Sequence, residues 1–249
     1  MLIIAMKVLR NWYLYPLTYF KFIQKPSIEF ITKDGLKLKI RLEDGSSDFH
    51  VFTEIFLNKV YVKRNISEKP TIIDIGSHVG FFSLFCFKKF PNCKIFSYEP
   101  NEKNYLSQLE NLKNNNCNIN VYDFIVSGKR GNTKLFLDKD FAGHSIFQKE
   151  DEYGHTVKKS IMLEDIFTEN KINKCDLLKM DCEGAEYEIL MNSPDTILEK
   201  ILNISIEVEN NIKTKYPINK MIKKLQACGF QIDIQNTISN SCFLYAKKM

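Results

Sequence analysis

Residues 71–80, TIIDIGSHVG, constrain the fold of this chain more than any other stretch. A β-branched run closes on Asp74, a turn bounded by Gly76 and Gly80 follows, and an apolar segment runs from Phe81 to about Phe90. That is the pattern of a buried strand feeding a tight turn and then a helix. Glycine lets the backbone make such a turn and lets a ligand approach it closely. The helix start offers free N–H groups and the positive end of a dipole, which suit an anionic group. The three-glycine dinucleotide pattern is broken, because His78 stands at one of its positions. Asp74, two residues before the first glycine, is suited to hold a ligand's ammonium. A small zwitterion joined to a nucleoside satisfies both charges. The alternative is a purely structural strand–turn–helix.

At 249 residues the chain can hold one large α/β domain and an appendage. Its 35 basic and 30 acidic residues leave a net charge of +5, spread along the whole length. A nucleic-acid footprint requires clustering, so no nucleic-acid partner is expected. The seven cysteines are odd in number and include no Cys-x-x-Cys pair. They read as reduced thiols of a cytoplasmic protein, without a zinc site.

Residues 1–24 are aromatic-rich and free of acids, with apolar runs cut by Lys7, Arg10, Asn11 and Pro16. A spanning helix needs roughly 20 unbroken apolar residues, so none is expected, nor is a clear secretory signal. Two readings stand: a helix packed on the domain, or an amphipathic segment in peripheral contact with a membrane. Residues 28–42 read as two short strands joined at Asp34-Gly35. Ser46, Ser47 and Asp48 then form a polar cap before a helix over 51–61, and 63–69 is a polar linker. Residues 1–69 thus form a small helix/β cap, and 70–249 the main domain.

From Thr71 the pattern is strand, helix, strand, helix, strand. The second strand, 94–98, delivers Glu99, 19 residues after Gly80. An acid at that distance meets ribose hydroxyls in a doubly wound sheet. Pro100 and Asn101 follow it, and Asn101 is also a helix cap for 102–112. A third strand over 119–126 brings Asp123, Phe124 and Ile125 to border a base. Two β segments, 133–137 and 157–163, flank a long loop that carries His144, a candidate base or an exposed histidine. A short helix is expected over 163–167. An apolar strand over 175–180, broken only by Lys179, ends in Asp181, Cys182 and Glu183, with Glu186 opening a helix. Asp181 and Glu183 are candidates to take a proton, to orient a hydroxyl or to hold a divalent cation, which nothing in the spacing requires. They also fit as acids at a helix start. A strand over 203–208 ends near Glu207, Glu209 and Asn210. Asn219 caps a helix stopped by Gly229, and 231–234 with 242–247 close the fold as a hairpin.

Three strings occur in order on one α/β chain: DIGSHVGFFS from Asp74, YEPN from Tyr98, and LKMDCEGAE from Leu178. Together they resemble the FkbM family of S-adenosylmethionine-dependent methyltransferases, over about residues 70 to 210. The resemblance implies a Rossmann-like class I methyltransferase sheet, mostly parallel with a C-terminal antiparallel hairpin. It implies that Asp74, Gly76, Ser77 and Gly80, with His78 varying the turn, hold the methionine part of S-adenosyl-L-methionine. Ser83 matches a hydroxyl position and Glu99 the acid on the ribose. Asp181 and Glu183 match acids on the methyl-transfer side. The implied activity is O-methylation of a sugar or surface-glycan hydroxyl. Another small-molecule or nitrogen acceptor, or a non-catalytic domain with the same fold, are the alternatives.

Overall fold

The computed structural model describes residues 1–62, 66–148, 153–209, 217–236 and 241–249. Asn210, expected at a strand end, lies outside them, as does part of the linker over 63–69. The chain opens with α1 (Leu2–Val8) and α2 (Leu14–Tyr19), two short helices where the sequence suggests one segment. They pack through Ala5, Leu9, Tyr15 and Thr18. A hairpin of β1 (Ser27–Ile31) and β2 (Lys37–Arg41) turns at Gly35, with φ +97. Next come α3 (Asp48–Phe52) and a π-helical turn, Thr53–Asn58. Asp48 does not cap this helix; it is buried against Arg41.

The main sheet is built from β3 (Thr71–Ile75), β4 (Lys94–Tyr98) and β5 (Asn120–Tyr122), between which run α4 (Phe81–Lys89) and α5 (Glu102–Asn114). Asn101 caps α5 by accepting from the Asn104 N–H at 3.1 Å. The expected third strand over 119–126 is broken. After β5 the chain leaves the main sheet at Asp123-Phe124. Its next residues, β6 (Ile125–Val126), join a separate three-stranded sheet with β7 (Gly131–Phe136) and β8 (His155–Ile161). The ion pair of Asp123 with Lys158 on β8, 3.2 Å, holds the break.

The helix α6 (Leu163–Glu169) returns the chain to β9 (Leu177–Met180). Then follow α7 (Ala185–Asn192), α8 (Asp195–Leu198), β10 (Asn203–Glu209), α9 (Ile218–Ala227), β11 (Phe230–Asn236) and β12 (Ser241–Lys248). Asn219 lies inside α9, whose N-cap is Pro217. The sheet order is β5-β4-β3-β9-β10-β12-β11, parallel except for β12, which runs antiparallel to both neighbours. The winding reverses between β3 and β9, and in such sheets the ligand crevice opens beyond the carboxyl strand ends at that point.

The period-2 alternation of the strands sorts two cores. Ile73 and Ile75 face the layer containing α6, α7, α8 and α9. Ile72 faces α4 and the N-terminal elements, whose Phe30, Phe52, Phe56 and Tyr61 share that second core. All seven cysteines are free.

Gly76 has φ +73, and a Cβ there would lie 1.7 Å from the Asp181 carbonyl oxygen. The turn after β3 and the tip of β9 are therefore in backbone contact. Gly76→Ala is expected to lower unfolding stability by more than about 3 kcal/mol, measured by chemical denaturation. A loss below about 1 kcal/mol would show that the two tips can part without cost.

Candidate active site

A cleft of about 830 Å³, open mouth included, lies beyond the carboxyl ends of β3, β4 and β9. Of the residues singled out in the sequence, Gly76, Ser77, His78, Glu99, Pro100, Phe124, His144, Asp181 and Glu183 line it. Asp74, Gly80, Ser83, Asn101 and Asp123 do not.

Asp74 is wholly buried. Its Oδ2 accepts from the Ser83 hydroxyl at 2.8 Å, and its Oδ1 lies 3.4 Å from the Lys179 ammonium without hydrogen-bond geometry. Burial raises the Asp74 carboxyl, opposed by Lys179 and Ser83. Burial draws the Lys179 pKa down, but Asp74 and Asp181 outweigh it and hold the ammonium charged. The cation expected to meet Asp74 is thus the chain's own lysine. The close approach at the glycines is also internal. The Asp181 carbonyl fills the space at Gly76, and the Gln108 side chain lies 2.6 Å from a Cβ built on Gly80.

Glu99, at the tip of β4, is 6% exposed. Its Oε2 accepts from the His78 N–H at 2.8 Å, and its Oε1 from the Asn101 N–H at 2.9 Å. Burial pushes its pKa up to about 7, against those two bonds. Each oxygen keeps a lone pair for a further donor.

His78 sits at φ 52 in the turn. Burial lowers its pKa to about 4, so the ring is neutral at physiological pH. Its Nε2 lies 3.3 Å from Nη2 of Arg41 and 3.6 Å from Oδ1 of Asp48. Its Nδ1 is buried and has no hydrogen-bond partner among the described residues. Arg41 is fixed in turn by Asp48, with Nε to Oδ2 at 2.9 Å and Nη2 to Oδ1 at 2.7 Å. Arg41 also donates to Asn104 Oδ1 at 2.9 Å, and Asn104 Nδ2 donates to the Phe141 carbonyl at 2.7 Å. This network holds the loop of Phe141, Ala142 and His144 against the cleft. Sequence reading missed Arg41 and Asp48, because each looks like an ordinary surface charge of a hairpin and a helix start.

On the opposite side, Asp181 is 34% exposed. Tyr61 Oη lies 2.9 Å from Asp181 Oδ2 and 3.1 Å from Glu207 Oε2. A phenol has one proton to give. Burial, reinforced by Asp181 and Glu54, pushes Glu207 up to about 9, so it is a protonated donor at neutral pH. The chain of bonds therefore runs from Glu207 to Tyr61 to Asp181. Tyr61 had no sequence signal beyond being an aromatic near the end of a helical pattern. Glu207 was legible only as an acid at a strand end. Glu183, at φ 54, accepts from the Ser145 hydroxyl through its backbone carbonyl at 2.6 Å. His144 Nδ1 accepts from the Asp138 N–H at 2.9 Å. Among the described residues no group of three His, Cys, Asp or Glu side chains is arranged to hold a metal ion.

The sheet order, the switch point between β3 and β9 and the cleft beyond it define a class I Rossmann-like methyltransferase fold. The model of the Methyltransferase FkbM domain matches residues 74–232, and the chain belongs to that family of methyltransferases. Methyltransferase sdnD of Sordaria araneosa is 25% identical over 189 residues, which are 63% of this chain and 73% of the relative. Methyltransferase 1 of Beauveria bassiana is 22% identical over 206 residues, covering 74% and 82%. Among solved structures, Methyltransferase FkbM from Methylobacillus flagellatus KT superposes with a TM-score of 0.53 at 13% identity. That match covers 97% of this chain and 56% of the other, and it supports the fold alone.

The Glu207 proton gives a measurable pH signature. In the unfolded chain Glu207 ionises at its ordinary value of 4.5, and in the fold it keeps its proton to about 9. The folded state binds more protons in that window, so this group's contribution lowers stability as pH rises through it. Glu207→Gln removes that decline. Its thermal midpoint, followed across the window, should fall less steeply than that of the wild type; parallel profiles would mean that Glu207 is ionised in the fold.

Proposed function

We propose that the protein transfers the methyl group of S-adenosylmethionine to a hydroxyl of a sugar or surface-glycan precursor. The observation that carries this reading is the division of one cleft. Glu99 and the unpartnered His78 Nδ1 border one part of it, and the Tyr61-held Asp181 borders another.

The donor set fits the cofactor. The free lone pairs of Glu99 suit two vicinal ribose hydroxyls, and accepting from them favours its ionised form. The buried His78 Nδ1 suits a ligand hydroxyl, which can give or accept a hydrogen bond, since a buried polar atom without a partner is costly until one arrives. Phe124, Ile125 and Ile146 offer apolar walls for a base. Asp74 is assigned an indirect part, through Lys179 and the Gly76 turn that Lys179 holds.

When bound, the cofactor supplies an electrophilic sulfonium methyl. The chain's own tasks are to hold the acceptor oxygen in line and to remove its proton. Asp181 is assigned the proton. Its Oδ2 is fixed by Tyr61, and its Oδ1 makes no hydrogen bond among the described residues. Glu183 stands second, as a further carboxylate on the cleft wall. His144 ranks third: its Nδ1 lone pair is engaged, so the neutral ring carries its proton on Nε2 and has no free basic nitrogen. The carboxyl groups of Glu54, Asp181 and Glu183 around the cleft suit a polyhydroxylated acceptor, which offers donors, better than a phosphate-rich one.

Glu99→Ala is expected to weaken S-adenosylhomocysteine binding more than about tenfold by calorimetry. Failure of the wild type to bind it at all would end the reading. Asp181→Ala should leave that affinity within about threefold and lower methyl transfer at least about a hundredfold. The transfer assay uses surface-polysaccharide and nucleotide-sugar extracts as acceptors. Retained turnover would remove Asp181 from the chemistry.

A further inference from the structure

Eleven of the seventeen exposed large hydrophobic side chains among the described residues fall within the first 22 positions. Ile3 is 70% exposed and Phe22 72%. Tyr19, Phe20 and Phe22 form one contiguous group, with ring centroids 5.1 and 6.1 Å apart. Monomeric proteins seldom leave so much apolar surface together without a use for it. The same segment contains Lys7, Arg10, Lys21 and Lys25, all exposed, and no acid before Glu29.

Beside α1 lies a second open cavity of about 870 Å³, mouth included. Five lysines line it: Lys7 from α1, Lys33 from the hairpin turn, Lys59 after the π-helical turn, and Lys88 and Lys89 from the end of α4. Asp34 is the one acid in its wall, and Asp34 Oδ1 already accepts from the Thr32 hydroxyl. Val8, Leu36, Phe56 and Phe85 complete the lining. Lys7 lies one helical turn from Ile3, on the same face of α1, so the basic cavity and the apolar surface adjoin.

We propose that α1, α2 and this lysine-lined cavity form a surface that docks on an anionic phospholipid membrane, with lipid phosphate headgroups entering the cavity. The charge pattern selects this occupant over a second copy of the chain. A two-fold contact presents the same patch on both sides, so it would bring basic surface against basic surface with no acid in the segment to answer it. A bilayer accepts both halves of the patch. Aromatic and aliphatic side chains enter the headgroup boundary, and each lysine gains from the negative surface potential. No helix among the described residues is long and apolar enough to cross a membrane, so the contact is peripheral.

The test mixes the intact protein with vesicles of phosphatidylcholine alone and of phosphatidylcholine with phosphatidylglycerol, and measures co-sedimentation. Binding to the anionic vesicles, weak binding to the neutral ones and loss at raised ionic strength are expected. Lys7→Glu combined with Lys88→Glu should weaken anionic-vesicle binding at least about tenfold. Phe20→Ser with Phe22→Ser should weaken it further with an unchanged thermal midpoint. The wild-type comparison decides the matter if either variant fails to fold. No binding to anionic vesicles overturns the proposal, as does equal binding to both kinds. Displacement by inorganic phosphate beyond that by chloride of equal ionic strength would assign the cavity to free phosphate. A dimer in light scattering whose formation abolishes vesicle binding would assign the surface to a second copy.

Discussion

The buried Lys179 ammonium is the interaction on which the cleft depends. It donates to the Gly76 carbonyl at 2.6 Å and lies 3.4 Å from Asp74 and 3.7 Å from Asp181. One cation thus ties the turn after β3 to the tip of β9, across the point where the winding of the sheet reverses. A lysine 3% exposed carries a large desolvation cost, which Asp74 first, then Asp181, and the Gly76 carbonyl offset. The contact of Gly76 with the Asp181 carbonyl makes the same connection sterically. Together they fix the distance between the two strand tips, and so the width of the crevice.

With that width set, two different electrostatic environments face one space. On one side Arg41 and Asp48 form a buried, bidentate pair beside His78, whose Nδ1 is left without a partner among the described residues. On the other, Glu207 is held protonated and Tyr61 is oriented toward Asp181, whose Oδ1 makes no hydrogen bond among the described residues. Environments that push similar groups in opposite directions are how a fold assigns donor and acceptor roles from a small set of residue types. The loop around Phe141 bridges the two halves: Asn104 of the Arg41 network binds the Phe141 carbonyl, and Ser145 further along donates to the Glu183 carbonyl.

The sequence was most informative where local chemistry and fold agree. The strand–turn–helix at 71–90, the Glu99 strand end and the 178–186 string all stand where periodicity and glycine spacing put them. Reading failed where a long-range partner decides the outcome. Asp74 has the same sequence context whether it meets a ligand ammonium or Lys179, which is 105 positions away. The mostly apolar run over 119–126 hides a switch of sheets, since its local pattern does not encode which strands it will pair with. Arg41, Asp48 and Tyr61 carry no motif. Their roles arise from the cap folding onto the main sheet, and no periodicity within the cap encodes that docking.

That docking also connects the two surfaces of the molecule. The π-helical turn over Thr53–Asn58 places Glu54 and Ile55 in the wall of the cleft. Its next residue, Phe56, and Lys59 just beyond it line the basic cavity. A π turn adds a residue to the helical repeat and so turns consecutive side chains toward different neighbours. Here the extra residue lets one short segment serve as the partition between cleft and cavity. The rings of Phe52 and Phe56, stacked 5.3 Å apart, and Phe56 against Phe81 at 6.4 Å, anchor that partition to the first turn of α4. Any force that displaces α1 or the hairpin therefore acts on a wall whose other face borders the cleft. The N-terminal segment thereby shapes the cleft from outside the main sheet.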